Sequence, residues 1–233
     1  MANKKITELN ALTDVADADL LAMVDDPSGS AETKKIVVSD SFLRWGMRKS
    51  VSPPVSTDFA WVNQDTATVS DSAAGMHLYV PAVGGNDGRL LVKAIPSAPY
   101  TVTCGIIAAS YETSWNAYGI ALRASGSGTF VFFGALAPAA RIELVAQKWT
   151  NETSSAGYYS NVASYFCGDA VWFRVQDNST NRILSWSVDG VNFVQFHSVS
   201  RTDYITPDQI CVYGQTNNAT YDLGITVIDW SEA

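Results

Sequence analysis

The stretch Arg182-Ile183-Leu184-Ser185-Trp186-Ser187-Val188-Asp189-Gly190-Val191-Asn192-Phe193-Val194-Gln195-Phe196 decides the fold class of this chain. Side chains alternate across an extended strand, so Ile183, Ser185 and Ser187 fall on one face and Leu184, Trp186 and Val188 on the other. Asp-Gly between two such runs tolerates the positive φ of a hairpin turn. The stretch therefore reads as two antiparallel strands. The same period of two recurs at residues 76–80, 101–106, 141–144, 171–176 and 221–227, with turn-forming residues between. Beyond residue 59 no run has a helical period, and about a dozen short strands predict an antiparallel sandwich or barrel.

Of the 233 residues, 47% are hydrophobic, 11% aromatic and only 16% charged, against about 25% charged in an average soluble domain. That excludes a disordered tail and a coiled coil. Fifteen basic against twenty-three acidic residues leave a net charge of −8. No general basic face is available to neutralise phosphates, so nucleic acid is not an expected partner. No run approaches the roughly 18 apolar residues of a membrane helix, and membrane insertion is not expected. The opening MANKKITELN turns polar where a secretory apolar core would begin, so no export signal is expected. Cys104, Cys167 and Cys211 are odd in number and widely spaced, which fits buried thiols better than a disulfide framework or a zinc site. No metal and no other cofactor are expected.

Charge is unevenly spread. The first fifty residues hold seven of the basic and eight of the acidic side chains, leaving eight and fifteen for the remaining 183. The break coincides with Val51-Ser52-Pro53-Pro54-Val55-Ser56, whose prolines favour extended backbone. We expect an N-terminal attachment or oligomerisation segment at 1–46, a linker at 47–56 and a β domain at 57–233. Within the first segment, the runs Asp19-Leu20-Leu21-Ala22-Met23-Val24-Asp25 and Lys34-Lys35-Ile36-Val37-Val38 flank a Pro/Ser/Gly turn and predict a hairpin. Ser39 or Asp40 can then cap a short helix from Ser41 to about Arg48. A unit this small rarely buries its own apolar groups, so Leu20, Leu21, Val24, Ile36, Val38, Phe42 and Leu43 are expected to contact a partner surface.

The runs Lys5-Ile6-Thr7-Glu8-Leu9, Ala18-Asp19-Leu20-Leu21-Ala22-Met23-Val24 and Thr33-Lys34-Lys35-Ile36-Val37-Val38-Ser39-Asp40-Ser41-Phe42-Leu43 resemble the amino-terminal segment of tailed-bacteriophage fibre and appendage proteins. The departure is at Met23, where that family often carries proline or isoleucine. The resemblance implies a virion protein, a head fibre, tail fibre or capsid decoration on the particle surface. It would be made in the host cytoplasm, dock on another virion protein, and assemble as a homotrimer.

The order Val171-Trp172-Phe173-Arg174-Val175, then the Ile183–Phe193 stretch, then Ile225-Thr226-Val227-Ile228-Asp229-Trp230 resembles the back half of a concanavalin-A-like lectin/glucanase jelly roll. Residues 58–80 and 89–93 resemble its first strands in phage-borne copies. The resemblance implies an antiparallel sandwich whose last strand returns beside the first. Such sandwiches host binders, hydrolases and inert modules alike.

A retaining glycosidase needs two carboxylates about 5 Å apart. The β domain has four glutamates, Glu112, Glu143, Glu152 and Glu232, and none has an acidic neighbour two or four residues away. Glu143 is the best single candidate, and an exposed strand carboxylate explains it as well. The only histidines, His77 and His197, lie in alternating runs, and no Gly-x-Ser-x-Gly elbow occurs. No enzymatic activity is expected. Gly85-Asn86-Asp87-Gly88 can offer oxygens to calcium, but reads equally as a turn.

The constellation with chemical meaning is aromatic. Residues 111–118 and 149–159 mix Trp and Tyr with Asn, Glu and Ser and read as loops. A sugar presents an apolar C–H face and a rim of hydroxyls, which aromatic planes beside amides match. The candidate carbohydrate-binding residues are Tyr111, Trp115, Tyr118, Trp149, Tyr158 and Tyr159, with cell-surface glycans as the expected ligand. Packing at sheet edges or in a trimer contact is the competing explanation.

Overall fold

The computed structural model describes residues 20–24, 33–37, 51–109, 115–139, 141–163, 170–217 and 220–233. The chain falls into two units, 1–50 and 51–233. In the first, β1 (Leu20–Val24) and β2 (Thr33–Val37) pair antiparallel, Leu20 opposite Val37 and Leu21 opposite Ile36. This is the hairpin expected from the two apolar runs. Val38, Phe42, Leu43 and the helix expected over 41–48 lie outside the described residues.

The second unit has fourteen described strands, and no α-helix occurs among its described residues. They are β3 (Ala60–Val62), β4 (Thr68–Ser72), β5 (Gly75–Val80), β6 (Gly88–Ala94), β7 (Tyr100–Ala109), β8 (Asn116–Arg123) and β9 (Phe130–Ala139), followed by β10 (Arg141–Asn151), β11 (Ser154–Ala163), β12 (Val171–Asp177), β13 (Asn181–Ser187), β14 (Val194–Ser200), β15 (Gln209–Gln215) and β16 (Leu223–Glu232). They form two antiparallel seven-stranded sheets, β11-β10-β9-β8-β15-β6-β3 and β14-β13-β12-β7-β16-β5-β4. The last strand lies between β5 and β7, while β3 belongs to the other sheet, so β16 returns beside the third strand of the sandwich and not its first.

Alternation explains the core between the sheets. Val131, Phe133 and Ala135 of β9, Ile120 and Leu122 of β8, Val102, Cys104 and Ile106 of β7, and Phe173 and Val175 of β12 are all buried there. Phe133 meets Phe173 edge to face at 5.4 Å. Cys104 and Cys211 are buried free thiols whose pKa burial pushes up, as expected from their β-prone surroundings, and Cys167 lies outside the described residues.

The Asp-Gly hairpin forms with a longer connection than its dipeptide suggests. β13 ends at Ser187 and β14 begins at Val194. The Asp189 carboxylate accepts from the backbone N–H groups of Val191 and Asn192, at 2.9 and 2.8 Å, and from the Ser187 hydroxyl. Those bonds hold its pKa well below the ordinary value, and they organise six residues where a two-residue turn was expected. Residues 51–56, read as the end of a linker, are held against the second sheet. The Ser52 N–H donates to Asp229 Oδ1 at 3.1 Å and the Ser52 carbonyl accepts from the Trp230 N–H at 2.8 Å.

Candidate functional site

The outer face of the first sheet is built from Leu90 and Val92 on β6, Cys211 and Tyr213 on β15, Ala117 and Ala121 on β8, Phe130, Phe132 and Leu136 on β9, and Val145 and Trp149 on β10. In a two-layer sandwich this face would meet water, yet these residues are buried. The β10–β11 hairpin explains part of the cover. If the sheet continued flat, four strand spacings of about 4.8 Å would put the hairpin tip roughly 19 Å from β6. Instead the Glu152 carbonyl accepts from the Gly88 N–H at 2.8 Å, and the Glu152 carboxylate pairs with Arg123 of β8 at 3.3 Å. Register shifts at Ala146/Gln147, Lys148/Trp149 and Trp149/Asn151 give the hairpin its bend. Its tip therefore crosses the face, and just before it Trp149 stacks on its ladder partner Phe130, with ring centroids 5.5 Å apart and planes within 5°.

A pocket of about 290 Å³ stays open at one end of this covered face, lined among the described residues by Asn86, Trp115, Leu136, Gln147, Trp149, Ser155, Tyr158, Gln215 and Asn217. Strand period places Gln147 and Trp149 on the same face of β10, and Tyr158 stands opposite Gln147 across the ladder. Trp115 precedes β8, is 46% exposed, and has a left-handed backbone at φ 56°, uncommon for a bulky residue. Tyr158 is also exposed, and its pKa is raised by partial burial and then by the nearby Glu143 charge.

The amides around the pocket hold one another in place. Asn86 Oδ1 accepts from Asn217 Nδ2 at 3.0 Å and from Gln215 Nε2 at 3.3 Å, and Gln147 Nε2 donates to Ser155 Oγ at 2.9 Å. That leaves Asn86 Nδ2 to donate and Gln147 Oε1 and Asn217 Oδ1 to accept, with no protein partner among the described residues. The neighbouring Asp87 is held by Arg89, which reaches both of its oxygens at 2.6 and 2.7 Å, and by Asn63 Nδ2 at 2.7 Å. The Gly85-Asn86-Asp87-Gly88 turn thus spends its carboxylate on a buried arginine, a structural use that positions Asn86. No cluster of three or more metal-ligating side chains occurs among the described residues.

Of the residues singled out from sequence, Trp115, Trp149 and Tyr158 come together here. Trp149 is a buried floor, 2% exposed, because the segment read as a loop is the end of β10. Tyr118 is on β8 and points into the core against Phe173, where burial pushes its pKa up to about 12. Tyr159 points away from the pocket; its hydroxyl donates to Asp203 and its ring lies 5.1 Å from His197, tying β11 to β14. Tyr111 lies outside the described residues. Glu143, expected to be exposed, is 4% exposed, because its odd-numbered place on β10 puts it on the covered face with Val145 and Gln147. His77 is bonded to Thr226 and His197 to Ser160.

No family model matches the chain, and no curated protein matches it. Solved structures do. A functionally unknown protein from Saccharomyces cerevisiae matches at TM-score 0.57 and 17% identity, over 77% of this chain and 98% of that one. A legume lectin-like domain from Entamoeba histolytica matches at TM-score 0.52 and 10% identity, over 76% and 90%. The chain has the concanavalin-A-like, legume-lectin-like sandwich fold. A GH43 protein from Bacillus licheniformis contains a similar sandwich, at TM-score 0.54 and 9% identity over 78% of this chain, which spans only 37% of that protein. At these identities the likeness concerns the lectin-like fold alone.

Proposed function

We propose that this chain is a lectin-like binding protein that holds a neutral sugar in the pocket of Trp115 and Tyr158 and does not cleave it. The observation that carries the reading is Trp115. Its exposed indole stands on a left-handed backbone, a conformation that costs roughly 1–3 kcal/mol and concentrates at functional sites. It faces a pocket whose unspent amide groups both donate and accept, which is what sugar hydroxyls require. The described lining carries no carboxylate pair for glycoside hydrolysis. Lectin-like neighbours in fold add support at the level of architecture.

The resemblance of the first forty residues supports a finer proposal, that residues 1–50 attach the chain to a tailed-phage particle as a trimeric fibre or decoration displaying the lectin-like domain. Weak sugar sites then add through effective concentration.

Glycan-array binding by the whole chain tests the first reading: signal on neutral glycans, lost in Trp115→Ala and Tyr158→Ala, supports it. An array without hits would leave a structural decoration, and release of reducing ends from a bound polysaccharide would make the chain an enzyme. Labelled antibody on intact particles tests the attachment. A scattering mass near one 25.1 kDa chain would contradict the trimer.

A further inference from the structure

The sugar-binding reading, on which this inference rests, leaves open which part of a glycan is held. A bare sheet face offers a groove along which a polysaccharide can lie, with affinity growing as more rings are engaged. Here that route is blocked by the protein itself. The tip of the β10–β11 hairpin is fixed at both sides of the face, through the Glu152 carbonyl to Gly88 of β6 and through the Glu152 carboxylate to Arg123 of β8. Arg123 is also held by Gln209 Oε1 at 2.9 Å. Beneath the hairpin Phe130, Phe132 and Tyr213 are fully buried, and Trp149 packs between hairpin and sheet. Beneath the hairpin the face is therefore filled with side chains.

The Trp115–Tyr158 pocket, at about 290 Å³, lies at the small end of the roughly 300–1,000 Å³ of ligand pockets. Its described polar groups are Asn86, Gln147, Ser155, Gln215 and Asn217, all uncharged. No described cation lines the pocket to meet a carboxylate or sulfate, so a charged ligand would lose its hydration without an ion pair in return.

We infer that the pocket takes the terminal ring of an uncharged glycan, end-on, and rejects internal stretches of a polysaccharide and acidic terminal sugars.

The test is isothermal titration of the whole chain with the best neutral array hit, in a series from disaccharide to hexasaccharide sharing one terminal ring. The methyl glycoside of that ring and its C6-oxidised uronate complete the set. The inference predicts affinities within about twofold along the series, competition by the methyl glycoside, and about tenfold or greater loss for the uronate. Affinity rising about tenfold or more from disaccharide to hexasaccharide, or a uronate bound as well as the neutral ring, would overturn end-on recognition while leaving sugar binding intact. Absence of binding to every glycan would overturn both.

Discussion

The outer faces of the two sheets are made of the same kind of strand and treated in opposite ways. On the first sheet, large aromatics lie flat beneath the β10–β11 hairpin and form a second apolar cluster. On the second, Tyr79 and Ile107 remain exposed, at 37% and 40%. A covered patch there holds Trp172, whose indole N–H donates to Asp229 Oδ2 at 3.0 Å beside Ser52. Each arrangement needs a glycine under a ring. A Cβ on Gly134 would stand 2.7 Å from the Phe132 ring and 2.2 Å from the Tyr118 carbonyl oxygen, and one on Gly105 would stand 2.5 Å from Trp172 Nε1. The difference teaches that a sheet's outer face becomes a site when a neighbouring hairpin covers most of it and leaves an end open.

The contrast breaks most readily at Phe130. Phe130→Ala should cost about 3–5 kcal/mol in urea unfolding, as a core truncation does, although the residue points away from the space between the sheets. Ile107→Ala, at an outward position on the other sheet, should cost less than about 1 kcal/mol. Equal losses at the two positions would mean the faces do not differ. Trp172→Phe keeps an aromatic ring but removes the donor to the buried Asp229, so about 1–3 kcal/mol should be lost there.

Trp115→Gly sharpens the comparison from the functional side. Glycine adopts the left-handed backbone freely, so unfolding stability should hold or rise by up to about 1 kcal/mol while glycan binding disappears. Loss of stability together with binding would make Trp115 a packing residue. The smallest effect concerns the turn at Asp189. Its folded pKa lies below the ordinary 3.8, so its contribution is complete above that value and fades as pH falls through the folded pKa. The stability gap between wild type and Asp189→Ala should accordingly be constant from neutral pH to about 5 and narrow below about 4. A gap independent of pH would remove the carboxylate from the explanation.

Much of this was legible in the residues. Alternation at residues 76–80, 101–106 and 171–176 marks β5, β7 and β12, because two faces with different surroundings impose a period of two. The pocket was only half visible. Trp115 and Tyr158 stand out as aromatics among polar residues, whereas Gln147, Gln215, Asn86 and Asn217 are ordinary amides brought together by strand order from separate parts of the chain. Gln147 carried one usable signal, its place two residues before Trp149 on the same strand face. Tyr118 and Tyr159 were misplaced by reading strand ends as loops: β8 begins at Asn116 and β11 at Ser154, and parity then turns each ring away from the pocket. The bend that covers the first sheet depends on bulges in β10 and β11, and no local pattern in residues 141–163 announces them.

The proposed sugar ring lies against Trp115 and Tyr158, at the open end of a face that the β10–β11 hairpin covers. A crystal structure of the whole chain with the highest-affinity neutral glycan from the array tests this placement most directly. The expected result is density for one terminal ring stacked on the Trp115 indole, within hydrogen-bond reach of Asn86, Gln147 or Asn217, with the rest of the glycan leading into solvent. Density for the glycan at any other surface, with this pocket holding only water, would contradict it.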